Sequence, residues 1–197
     1  MDDDPATTYR NVVSILAPGL LAAALSDPVH LDEAAQSFRS AWGQRPERGP
    51  RLADLAHYLP GDILVKVDRA SMSAGLEVRA PFLDTALVEW AFRLSPATVG
   101  PPGAKAIPRA LLARRFPPSV SARPKQGFGV PLERWLLGPL RPMLEECLAP
   151  SALASHGLVR PDVIPLLMDR MEAGRKAVAP ALWALLMFQL WYDRWVR

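Results

Sequence analysis

Between Tyr58 and Asp84, seven charged side chains (Asp62, Lys66, Asp68, Arg69, Glu77, Arg79 and Asp84) punctuate an otherwise apolar stretch. Charge within apolar surroundings is costly unless it is paired or used. The segment therefore reads either as an ion-paired internal scaffold or as one wall of a polar active site. Its first half has helical periodicity. Ile63, Leu64, Val67, Ala70 and Ser71 share one face, Asp62, Lys66 and Arg69 share another, and Gly75 stands where a left-handed residue would end the helix over 62–74. Pro81 then forces Ala80 out of helix, so Glu77 and Arg79, two apart in an extended run, project to the same side. They are placed to pair with Arg69 and Asp68, or to hold a zwitterion.

The rest of the chain is punctuated in the same way. A helical pattern over 8–26 is broken at Pro18-Gly19, a second runs over 31–42, and 45–50 reads as a connecting loop. Asp84 fits the N-cap of a helix over 85–94 with Leu87, Val88, Ala91 and Phe92 as its apolar stripe. A helix over 104–116 is predicted to turn Ile107, Leu111 and Leu112 inward, with Pro108 confined to its first turn. A short helix carrying Trp135 starts at Pro131, and helices near 140–148, 161–173 and 180–195 follow, their tryptophans read as core. No stretch alternates at period two for long enough to be a strand. The expected fold is mainly α, as one domain over 1–197.

Composition narrows the function classes. Half of the 197 residues are apolar, enough for a core, and a net charge of +3 is too small to argue for nucleic acid. The most apolar segment, Ala181–Phe188 with its extension to Tyr192, is shorter than a bilayer span, so no membrane partner is expected. Cys147, the one cysteine, has no partner for an intrachain disulfide and sits among acids, which reads as a packing residue in a reducing, cytoplasmic compartment. His30, His57 and His156 show no metal-ligand spacing.

Two further groups of residues carry possible chemistry. Residues 101–132 hold six basic side chains and no acidic one. Arg114 and Arg115 read as a solvated helix face. Lys105 follows a Gly/Pro turn at a helix start, where free N–H groups already favour anions, so it can meet a phosphate or simply face solvent. Lys125 lies in a loop whose Gly127 and Gly129 could let backbone approach a ligand, although a structural loop explains it as well.

The runs Tyr58–Met72 and Leu76-Glu-Val-Arg-Ala-Pro-Phe-Leu-Asp84 closely resemble the synthetase half of bacterial glutamine-hydrolysing asparagine synthetases. The likeness continues through Gly103-Ala-Lys-Ala-Ile-Pro-Arg109, Arg123-Pro-Lys-Gln-Gly-Phe-Gly-Val-Pro131 and Leu182–Trp191, and is clearest over 54–195. It implies the helical C-terminal portion of an α/β adenine-nucleotide α-hydrolase-like (PP-loop) synthetase domain, with the nucleotide-binding sheet missing. It also implies ATP-dependent conversion of aspartate to asparagine through a β-aspartyl adenylate, with Mg2+ and glutamine-derived ammonia. Lys105 is the position that neutralises phosphate in this likeness. Asp68, Arg69, Glu77, Arg79 and, in the second loop, Lys125 correspond to the substrate and nucleotide pocket.

The departures are as informative. Residue 2 is Asp2 where the family's glutaminase half carries cysteine, and neither the Ser-Gly-Gly-x-Asp-Ser loop nor the Ser-Gly-x-Gly-x-Asp-Glu segment is present. The chain alone is therefore expected to hold no ATP or magnesium and to be inactive, the glutaminase and nucleotide-loop regions being supplied in cis or in trans. A related amide ligase, of the β-lactam synthetase or lasso-peptide cyclase type, or a non-catalytic helical module, are the alternative readings. The residues between 62 and 84 are expected to converge with Lys105 on one polar cavity.

Overall fold

The computed structural model describes residues 4–27, 30–43, 46–95, 98, 105–121, 123 and 129–196. Among these it is helical, with a single isolated antiparallel bridge, Leu25 to Val159, as its β structure. The chain separates into two compact units, Met1–Arg39 with Gly129–Arg197, and Ser40–Phe128.

The first unit holds the core. It contains α1 (Pro5–Val13), α2 (Pro18–Ala24), most of α3 (His30–Trp42), α9 (Leu132–Leu137), α10 (Arg141–Cys147), α11 (Pro150–Ala154), α12 (Val163–Glu172) and α13 (Ala179–Trp195). On α13, Leu182, Leu185, Leu186 and Gln189 recur at helical spacing and are all buried, which is the stripe a surface helix turns inward. Leu136, Leu144, Leu153, Leu167 and Met171 from the neighbouring helices close over it.

Local chemistry fixes the ends of these elements. The Asp4 carboxylate accepts from the N–H groups of Ala6 and Thr7 and from the Thr7 hydroxyl, which caps α1 and holds its carboxyl below the usual range. Gly174, at φ +79°, lets the Arg175 N–H reach back to Arg170 O and its own N–H to Met171 O, the paired bonds that close a helix at a left-handed residue. Across the bridge, Ser26 N–H donates to Leu158 O and Arg160 N–H to Ala24 O, fastening the turn after α11 to the end of α2.

The second unit is built on a continuous helical rod. α4 (Gly49–Ala53) passes into a wide π-helical stretch (Asp54–Leu64) and then α5 (Val65–Met72). Pro60 lies inside this rod. Its missing N–H and bulky ring would break a regular α-helix, and the looser i→i+5 winding absorbs both. The expected helix over 62–74 is therefore the last part of a longer one. Gly75, at φ +66°, ends it with Leu76 N–H bonded to Ser71 O. A 3-10 turn (Pro81–Leu83) leads to α6 (Thr85–Arg93), where Asp84 accepts from Leu87 N–H at 3.2 Å as the predicted N-cap. Leu87, Val88, Ala91 and Phe92 form its half-buried face, as the periodicity requires. α7 (Ala106–Arg115) and α8 (Pro118–Ser121) follow.

Two expectations fail here. Ile107 is half-buried, but Leu111 and Leu112 are exposed rather than inward. At the other end of the chain, Trp191 and Trp195 lie open to solvent because the buried stripe of α13 passes through Gln189 and leaves them on the opposite side.

Candidate active-site region

Lys105 immediately precedes α7 with φ +75° and ψ +34°, and it is the only non-glycine residue at positive φ among the described residues. A side chain in that left-handed well carries steric strain of roughly 1–2 kcal/mol. Its carbonyl accepts the first helical bond, from Arg109 N–H at 2.9 Å. The N–H groups of Ala106 and Ile107 have no side-chain cap, and Pro108 brings none of its own. Lys105 is exposed and lines a groove of about 680 Å³ between α6 and α7. The other groove residues, Phe82, Trp90, Leu94 and Leu111 among them, are apolar.

The charges between 62 and 84 do not lie in an apolar interior. Asp62, Lys66, Asp68, Arg69, Glu77, Arg79 and Asp84 are all exposed. Asp68 borders a separate shallow groove of about 390 Å³ with Leu64, Val65, Val67, Val78 and Ala80. Glu77 and Arg79 do project to the same side, and they form an ion pair with each other. With both side chains more than two-thirds exposed, such a pair contributes at most ~1 kcal/mol to stability. Arg69 stands on the exposed surface of α5. Among the described residues, none of these four borders the groove lined by Lys105. Lys125 lies outside the described residues.

Sequence reasoning passed over Arg51. Its Nη1 donates to Ala91 O at 3.4 Å, and its guanidinium carbon lies 5.0 Å from the Phe92 ring centroid, so the side chain ties α4 to α6. The Nη2 atom is buried and has no hydrogen-bond partner among the described residues. The only advance signal was an arginine one turn before an apolar helix face.

A second polar group was also missed, in the first unit. The Asp193 carboxylate accepts from the Gln189 amide nitrogen at 3.1 Å, which turns the amide oxygen toward His156 Nε2, 2.9 Å away. Nε2 then carries the proton, and Nδ1 is free to accept from Leu158 N–H at 2.9 Å. The lone amide within the apolar run of α13 was the sign to read. Cys147 nearby is half-buried, and burial first, with the negative charges of Glu146 and Asp193 adding to it, pushes its thiol up. That suits packing rather than nucleophilic chemistry. No group of three His, Cys, Asp or Glu side chains among the described residues could hold a metal ion. Among the described residues, no helix is long and apolar enough to cross a membrane.

Comparison with known proteins adds the remaining evidence. The asparagine synthase family matches residues 8–193. A putative glutamine-hydrolysing asparagine synthetase of Mycobacterium tuberculosis is 35% identical over 175 residues, covering 84% of this chain and 26% of that protein. The glutamine-hydrolysing asparagine synthetase 1 of Bacillus subtilis is 26% identical over 144 residues, 73% of this chain and 22% of that protein. No solved structure matches. The chain thus spans about a quarter of the length of the curated relatives it matches. With nearly its whole length inside one family, the chain belongs to the asparagine synthases.

Proposed function

We propose that this chain is the helical C-terminal portion of a PP-loop synthetase domain, and that the whole enzyme, cytoplasmic and acting on neither nucleic acid nor membrane, converts aspartate to asparagine. The observation that carries the reading is the family match over 8–193 together with 35% identity to a protein named as a glutamine-hydrolysing asparagine synthetase.

In this reading the aspartate β-carboxylate attacks the α-phosphorus of ATP, pyrophosphate leaves, and a β-aspartyl adenylate forms. Ammonia released from glutamine then attacks the activated carbonyl, AMP leaves, and asparagine results. Lys105 supplies a mobile positive charge to the phosphates as charge shifts onto the leaving oxygens. Electrostatic stabilisation of that kind can be worth ~3–4 kcal/mol. The strained backbone at Lys105 supports this role, because non-glycine residues held in the left-handed region cluster at functional sites. Asp68, Arg69, Glu77, Arg79 and Lys125 are assigned to the aspartate and nucleotide pocket, first as a zwitterion-binding surface around the Glu77–Arg79 pair.

Magnesium does not fit the side chains described here, since no carboxylate cluster gathers to receive it. In the complete enzyme it enters with ATP. The glutaminase and nucleotide-loop regions are supplied in cis or in trans.

The test is isotope exchange between pyrophosphate and ATP. No exchange is expected from the 197-residue chain alone, and aspartate-dependent exchange is expected once the regions present in the relatives are joined to it. Exchange driven by bulkier carboxylates and not by aspartate would instead assign the enzyme to another amide-forming chemistry.

A further inference from the structure

The rod of the second unit and the segment that follows it lie side by side and run in opposite directions. Asp68 and Val78 border one groove close to the Gly75 turn. Leu55 and Val88 border the next, of about 320 Å³, and Arg51 meets Ala91 and Phe92 at the far end. The two arms thus form a hairpin of helices. The charges assigned to the substrate pocket, Asp68, Arg69, Glu77 and Arg79, all stand at its closed end, on either side of Gly75. Arg51 fastens the open end.

The apolar contacts between the arms do not fix how one arm is registered on the other. Such contacts are non-directional, and the π-helical stretch, α5 and α6 contain no buried residue. The winding over Asp54–Leu64 adds a second freedom, because each turn that returned to α-helix would rotate and advance everything beyond it. Arg51 supplies what these contacts lack. It gives a directional bond to the Ala91 carbonyl, a positive charge at the negative end of α6, and a planar group over the Phe92 ring. Its Nη2 is buried with no acceptor among the described residues, which subtracts from the stability that the contact would give. The side chain is therefore better suited to hold position than to hold the fold together.

We propose that Arg51 is a positioning residue for the amide-forming reaction. By clasping α6 to α4 it sets the register of the hairpin, and with it the placement of Asp68 and Arg69 against Glu77 and Arg79. This rests on the functional reading above, which assigns those four residues to the aspartate and nucleotide pocket. Arg51 itself touches no substrate and acts through the two arms. A shift of about 1 Å at a substrate-holding group, caused from a distance, is enough to change a rate by about 10²-fold.

Two measurements test it. In the 197-residue chain carrying Cys147→Ser, nitroxides at Lys66→Cys and Ala86→Cys, exposed positions on opposite arms, report the register by pulsed dipolar resonance. Arg51→Met should make that distance distribution about twice as broad while the urea midpoint stays unchanged. Arg51→Lys, which keeps a cation beside Phe92, should stay close to the unsubstituted chain. In the enzyme completed with the regions that the relatives carry, Arg51→Met should raise the KM for aspartate about 10-fold in pyrophosphate exchange and leave the KM for ATP within about 2-fold. Arg51→Lys should recover most of that loss. Phe92→Leu should act in the same direction without adding to Arg51→Met. A residue that only braced the fold would lower the urea midpoint and the amount of active enzyme with both KM values unchanged, and that result overturns the proposal. Equal label distributions with and without Arg51 overturn it as well. If the unsubstituted enzyme shows no aspartate-dependent exchange, the aspartate reading fails, and the label widths still decide whether Arg51 sets the register.

Discussion

Gln189 Oε1 lies 2.9 Å from His156 Nε2, and the amide that makes this contact is fully buried. Both ends of the amide are used, since its nitrogen donates to Asp193. His156 is further held edge-on by Phe188 and Tyr192, with ring centroids 5.7 Å and 4.8 Å away. The group orients the turn whose backbone bridges to the end of α2, so it links α13 to α2.

Gln189→Leu keeps the volume and removes both polar ends, which leaves the His156 Nε2–H without its acceptor. A loss of about 1–3 kcal/mol is expected, read as a lower urea midpoint by circular dichroism. His156→Ala in the same background should recover part of that loss, because the stranded donor is then gone. Additive effects of the two substitutions would show that the contact is not coupled.

Gly49 packs on the Trp42 indole so closely that a Cβ there would overlap the ring. Gly49→Ala must push the indole or the start of α4 aside. Overpacking of this sort costs roughly 1–3 kcal/mol and is expected as a lower thermal midpoint with a shifted tryptophan emission. Unchanged stability would mean that the ring has room to move.

Much of the helical pattern was legible in the sequence. The helices near 161–173 and 180–195, Asp84 as an N-cap and Gly75 as a helix end all follow from local chemistry that neighbouring residues do not override. The rod through Pro60 was not legible, because proline reads as a breaker unless the winding widens, and nothing in the local sequence announces that. The pairing of Glu77 with Arg79 was half-legible. Their common side followed from extended spacing, while the partner depended on how far Asp68 and Arg69 stand from them in space. Leu111 and Leu112 misled for a related reason. Helical periodicity identifies an apolar face, not what covers it.

Lys105 allows stability and activity to be separated. Lys105→Gly removes the left-handed strain and should raise stability by roughly 0.5–1 kcal/mol after the added chain entropy of glycine is counted. Lys105→Ala leaves the strain in place and should change stability little. On the proposed role, both variants should lower aspartate-dependent exchange of pyrophosphate by about 10²–10³-fold in the complete enzyme. A glycine variant that is both more stable and fully active would remove Lys105 from the chemistry.

Cys147 gives the pH-dependent test. Burial, then the charges of Glu146 and Asp193, raise the thiol above its ordinary value, so the folded state favours the neutral form. A group raised in this way contributes stability that is fully present below the unfolded pKa of about 8.5 and is lost as pH climbs through the folded value. Alkylation by iodoacetamide should accordingly be slower in the folded chain than in urea at pH 8, and the gap should narrow as pH rises further. Cys147→Ser should flatten the alkaline side of the stability profile. Equal alkylation rates in the folded and unfolded chain would show that the thiolate is not suppressed and that the residue does more than fill space.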